Sequence, residues 1–162
     1  MIHDWFVPVK SEYNDFVKAM FLGDVDAMNE YMNRVALQTF SYFDTGERAS
    51  GAEPERFYHG FVLGLLVDLQ GSYYVKSNRE SGFGRYDIML EPKKPGKDPA
   101  VILEFKVRST RKENSLEETA QSALAQIKDR KYSEELKEKG IAGEQIKEYG
   151  FAFEGKNVLI VN

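Results

Sequence analysis

Apolar positions recur at helical spacing through the first third of the chain. Tyr13, Phe16, Val17 and Met20 fall on one face behind Ser11, a residue able to cap, so a helix is predicted from Ser11 to Phe21, with Gly23 stopping it. Asp24 can cap a second, longer helix to about Tyr42, whose apolar face is Val25, Met28, Tyr31, Met32, Val35 and Thr39. Asp44 to Glu53 is polar and holds Gly46 and Gly51, which reads as a turn region. Pro54 suits the first turn of a third helix reaching about Leu69; it is apolar nearly all round and is expected in the middle of the fold. The period then shortens. Tyr73 to Lys76 reads as a first strand, Arg85 to Leu90 as a second and Ala100 to Arg108 as a third, with a Pro/Gly/Lys turn over Lys93 to Pro99. Leu116, Ala120, Ala123, Leu124 and Ile127 form a helical stripe with Ser115 as its cap, and Gly140 ends the helical region after Leu136. Phe151 to Phe153 and Val158 to Val161 are expected to pair across the turn between them. There is no internal repeat, low-complexity tract or linker. The expectation is a single α/β domain over 1–162, with a helical extension over 1–45 and a core over 54–162.

The third strand contains a conflict. Val101, Ile102 and Leu103 run straight into Glu104, Phe105, Lys106 and Val107, an apolar run of the kind buried on both faces. An unpaired charge in such a strand costs several kcal/mol. Glu104 and Lys106 are two apart, so they point to the same side. The second strand would bring Asp87 beside them. Two carboxylates and an ammonium converging at a sheet edge can hold a divalent cation and a water, the equipment of metal-assisted phosphodiester hydrolysis. They can equally be salt bridges, Asp87 with Arg85 or Lys106, and Glu104 with Lys106 across a sheet face.

An Asp followed on the next strand by Glu-x-Lys resembles the PD-(D/E)XK phosphodiesterase superfamily, and the order helix, strand, strand, strand, helix, strand resembles that family's restriction-endonuclease-like core, a mixed sheet flanked by helices. Phe57-Tyr58-His59-Gly60-Phe61, Gly82-Phe83-Gly84-Arg85-Tyr86-Asp87, Leu103-Glu104-Phe105-Lys106, Gln126-Ile127 and the closing Tyr149-Gly150-Phe151-Ala152-Phe153 with Gly155-Lys156-Asn157-Val158 are similar to one branch, in which the nuclease-like domain follows an ATPase-like domain. The similarity spans about residues 40 to 162. It implies that Asp87, Glu104 and the carbonyl of Phe105 ligate Mg2+ or Mn2+, ions suited to hard oxygen ligands. It also implies that Lys106 orients or helps deprotonate the attacking water. It further implies a nuclease acting on nucleic acid, DNA foremost, and an ATPase-like partner domain in a longer parent protein; the GxxxxGK[ST] phosphate loop is not in this sequence. The competing reading is a module of the same fold that binds nucleic acid or assembles with an ATPase-like partner without cutting.

More residues attach to this picture, each with a plainer alternative. His59 stands on the third helix, where such folds can supply a further metal ligand; it can also be a buried histidine bonded to a backbone carbonyl. Glu55 is one turn earlier, where it also suits the helix dipole. Gln126, on the helix after the third strand, is placed at the site by the resemblance, though a boundary position of an amphipathic helix explains it as well. Tyr132 follows Gln126 by six residues instead of the four of the RecB-like pattern, so it is left out of the expected site. Lys76, Arg85 and Arg108 are candidate phosphate contacts or ordinary solvated charges.

Composition narrows the class. With 42% hydrophobic and 13% aromatic residues the chain can build a core, and with no cysteine it has no disulfide or thiolate site, which fits a cytoplasmic setting. No membrane span is expected. Net charge is −4, yet the segment from Lys76 to Lys112 holds ten Lys/Arg and five Asp/Glu, an excess of +5 that surrounds the candidate residues in sequence. A local basic field can draw a polyanion to an acidic molecule, although an exposed soluble hairpin accounts for it too. Oligomeric state is left open, a homodimer included.

Overall fold

The computed structural model describes residues 15–40, 52–77, 80–81, 84–85 and 87–162. Ser11, Tyr42 and the turn region over 44–51 fall outside them. Residues 15–22 are helical (α1), and Gly23 stops the helix at φ 78°. Asp24 then caps α2 (Val25–Phe40), its carboxylate accepting from the Ala27 N–H at 3.1 Å. Met28, Tyr31 and Met32 are buried along one face, as the spacing predicts; Ala36 joins them, while Val25 and Val35 are half-buried. A flanking edge of α2 reaches the last residues of the chain. Asn29 donates to the Ile160 carbonyl and accepts from the Ile160 N–H at 2.9 and 2.8 Å, and Asn33 does the same with Val158 at 2.8 and 3.0 Å.

The third helix, α3 (Ala52–Leu66), is shorter than expected, because Val67–Gly71 tightens into a 3-10 turn. It is not surrounded on all sides. Tyr58, Val62 and Leu66 are buried, one every turn, while Gly60 and Gly64 are exposed, so α3 lies over one sheet face and leaves its small residues outward.

Strands follow as β1 (Tyr73–Ser77), β2 (Glu80–Ser81), β3 (Gly84–Arg85), β4 (Ile88–Pro92) and β5 (Ala100–Val107). The expected strand over Arg85 to Leu90 is therefore two. Gly84–Arg85 turns away to pair with Glu80–Ser81, and β4 begins only at Ile88, leaving Asp87 in a bend at its start. Two helices follow, α4 (Leu116–Asp129) and α5 (Tyr132–Glu138), then β6 (Ile146–Glu154) and β7 (Asn157–Val161). The sheet order is β1-β4-β5-β6-β7, with β5 and β6 parallel and the other neighbours antiparallel. The β6–β7 turn is two residues long, with Gly155 at φ 57°, a conformation glycine adopts without strain. Strand β6 (9 residues) extends well beyond the expected Phe151 to Phe153, because Ile146 to Gly150 pair along Ala100 to Glu104 before the Phe-rich stretch begins.

Alternation along the strands sorts the core into two layers. Ile88, Leu90, Val101, Leu103, Phe105, Tyr149, Phe151 and Phe153 pack with α1 to α3. Met89, Ala100 and Ile102 pack with Leu124, Ile127, Tyr132 and Leu136 of α4 and α5. Glu104 and Lys106 share the parity of Ile102, so they lie on the α4 side.

Candidate active site

The register Ile88↔Leu103 continues one residue to set Asp87 beside Glu104. A hydrogen bond also ties Asp87 to the peptide beside Glu104. The Phe105 N–H, next in chain to Glu104, donates to Asp87 Oδ2 at 2.7 Å. Glu104 is 5% exposed and is one of two buried polar side chains among the described residues, the other being Thr119.

The α4 helix supplies the layer above. Because β5 and α4 run in opposite directions, residues two apart on the strand (about 6.6 Å) meet residues four apart on the helix (about 6.0 Å). Gln126 Nε2 donates to Glu104 Oε1, and Lys106 Nζ donates to Ser122 Oγ at 2.9 Å. The structure thus brings together Asp87, Glu104, Phe105, Lys106 and Gln126, and adds Ser122.

It also adds Tyr132. This side chain is fully buried, and Gln126 hydrogen-bonds its hydroxyl. Burial pushes the phenol up from its ordinary value, and the charges of Glu104 and Asp87 push the same way. The six-residue spacing is absorbed by a break between the helices, where Lys131 takes left-handed backbone at φ 52°, ψ 38° and folds α5 back so that its first residue faces Gln126. A non-glycine residue held there is the local signal, and sequence alone gives no way to see it.

His59 arrives from the other side of the sheet. Its ring meets Phe105 edge-on at 5.8 Å, and Nε2 lies 3.3 Å from the Asp87 carbonyl and 3.0 Å from Ser77 Oγ. It touches the Asp87 backbone, whereas the carboxylates face α4. Among the described residues no three His, Cys, Asp or Glu side chains gather as a metal-binding group by themselves. The Glu55 and Arg85 side chains lie outside the described residues.

The expected phosphate contacts separate. Lys76 is paired with Glu91, and with Glu135 at 3.6 Å; Lys139 joins at 2.9 Å from Glu91, so this lysine ties β1 and β4 to α5. Arg108 meets Glu154 at 2.6 Å and the Asn114 carbonyl at 2.9 Å. Lys93, Lys94 and Lys97 sit in the β4–β5 turn, at the far end of the strands from Asp87, about 17 Å away at 3.4 Å per residue. These three lysines of the basic segment therefore lie away from Asp87 and Glu104. Glu113 lies beside Lys106 and Arg108, and its carboxyl is held below its ordinary range by the Thr119 hydroxyl first and the Ser109 N–H next.

A mixed five-stranded sheet with helices on both faces, and an Asp/Glu-x-Lys set at the junction of its antiparallel and parallel halves, defines a restriction-endonuclease-like fold. The family model of the PD-(D/E)XK nuclease superfamily matches residues 53–162, more than half of the chain, and the protein belongs to that superfamily. No curated protein and no solved structure matches it. No described helix is long and apolar enough to cross a membrane.

Proposed function

We propose that the protein hydrolyses phosphodiester bonds of nucleic acid, DNA foremost, with Mg2+ or Mn2+. The observation that carries this reading is the pair Asp87 and Glu104, side by side on one sheet face with Lys106 two residues on. The donor set fits such an ion: two carboxylates and a neighbouring peptide carbonyl, at Phe105, are hard oxygen ligands. The bound ion would supply Lewis-acid polarisation of the phosphate and a more acidic water. Gln126 fixes the rotamer of Glu104, and the Phe105 N–H fixes that of Asp87, so both carboxylates are oriented before substrate arrives. Lys106, steadied by Ser122, stands where it can orient the attacking water and offset charge that grows on the phosphate.

The test is Mn2+ calorimetry together with cleavage of single- and double-stranded DNA by wild type and Lys106→Ala. Expected are metal binding, Mn2+-dependent cleavage by wild type, and a loss of two or more orders of magnitude in the variant with little change in DNA affinity. Wild type that binds DNA but cuts no substrate with any metal overturns hydrolysis in favour of a binding module. Wild type that neither binds nor cuts leaves an assembly role with an ATPase-like partner.

A further inference from the structure

Strand β6 presents Glu148, Gly150 and Ala152 toward α4, and Gly150 stands in register with Glu104. A Cβ built on Gly150 would lie 2.3 Å from the Ala120 carbonyl oxygen, 2.7 Å from the Leu124 N and 3.2 Å from the Leu124 Cβ. The first two are backbone atoms of α4, so no rotamer change relieves them. The backbone φ of Gly150 is not in the left-handed region, so the glycine is required by closeness and not by conformation. The helix backbone rests directly on the strand at this point. One strand over, the same helix makes both of its bonds to the site, Gln126 to Glu104 and Ser122 to Lys106.

We propose that Gly150 is a positioning residue: it sets the depth of α4 over the sheet and thereby places Gln126 on Glu104 and Ser122 on Lys106. This deepens the proposed phosphodiesterase reading and rests on it for its kinetic consequence, but the positioning is readable without catalysis. Ordinary carbon–oxygen contacts need about 3.3 Å, so any Cβ at this position must lift the helix by about 1 Å. A bond of 2.9 Å stretched by that much is no longer a hydrogen bond. One methyl group on β6 would therefore release both site contacts at once, without touching either pair.

The test compares Gly150→Ala with Val158→Ala, a core truncation on the opposite sheet face, and with wild type. Proton–nitrogen spectra read the Gln126 side-chain amide, whose shift reports its bond to Glu104. Expected is a shift moved toward that of a solvated amide in Gly150→Ala and unchanged in Val158→Ala. The same amide unmoved in Gly150→Ala overturns the inference whether or not the protein cleaves anything. Where wild type cleaves DNA with Mn2+, Gly150→Ala should lose about 10²-fold in kcat with KM little changed, as for other misplacements of about 1 Å. Adding Gln126→Ala or Ser122→Ala should then cost nothing further, because those bonds are already broken. Full additivity of these losses overturns the inference. A wild type without cleavage, combined with a moved Gln126 amide in Gly150→Ala, refutes the hydrolysis and supports the positioning. Trimethylamine oxide recovers a marginally folded variant. A Gly150→Ala chain that stays unfolded in its presence overturns the role, since the glycine would then serve the core as a whole.

Discussion

Asp87 has two jobs at once, and they respond differently to substitution. Its carboxylate faces Glu104, and the same group accepts the Phe105 N–H. Asp87→Asn keeps an oxygen for that N–H and removes the charge, so the melting temperature should hold or rise as carboxylate repulsion is relieved, while Mn2+ binding is lost. Asp87→Ala orphans the N–H and should cost about 1–3 kcal/mol as well. Calorimetric melting of both variants without metal decides it: equal losses would mean that the hydrogen bond carries no stability. Glu91 is the second telling residue. Burial pushes its carboxyl up, but hydrogen bonds and charge from Lys76 and Lys139 outweigh this and leave it below its ordinary 4.5. A carboxyl lowered on folding contributes stability that is present above 4.5 and fades as pH falls through its folded value. Glu91→Gln should therefore melt earlier than wild type near neutral pH, and the two melting curves should converge under more acidic conditions. A gap that stays constant down to about pH 3 would show that the ion pairs are not its source.

Among the elements, the break between α4 and α5 carries the most consequence for its size. Lys131 is exposed and left-handed, a conformation that costs a side chain about 1 kcal/mol and glycine little. Lys131→Gly should raise the melting temperature or leave it unchanged, and Tyr132 should stay in place. Tyr132→Phe removes the hydroxyl bonded to Gln126 and should lower cleavage while the protein still folds; unchanged kcat would return Tyr132 to the core alone. These elements also show where reading the chain succeeds. The α2 face, the β5 run with its two charges, the Ser115 cap and the β6–β7 turn are written in local patterns of period, capping and glycine. What stays hidden depends on contacts distant in sequence. Strand β2–β3 pairs two residues with two, too few for a periodic signal. The first half of β6 is half-buried and mixed in polarity, because its partner β5 supplies the ladder. Tyr132 reaches Gln126 only through a backbone state that no residue type announces. Ser122 reads as one more small residue of a helix until Lys106 is placed opposite it.

At the scale of the molecule, part of the basic charge lies away from the site. The basic segment of the sequence is split by the sheet: Lys93, Lys94 and Lys97 are exposed at one end, and Asp87 and Glu104 stand at the other. Changing the three lysines to glutamine should leave KM for short DNA within about two-fold, and a salt slope reduced by nearly three would show that DNA reaches that end. The family match begins at residue 53, so α1 and α2 lie outside the matched region. What they add can be seen at β7, the last strand of the sheet. A terminal strand offers unpaired N–H and C=O groups to any passing strand, an invitation to intermolecular pairing. Asn29 and Asn33, one helical turn apart, answer the N–H and C=O of Ile160 and Val158 as a neighbouring strand would. Two side-chain amides thus impersonate a sixth strand that cannot propagate. With both changed to alanine, the chain should associate in proportion to concentration and bind amyloid dyes on mild heating, at a core stability little below that of wild type. Light scattering that stays monomeric at all concentrations would show that the helix shields this edge by bulk alone.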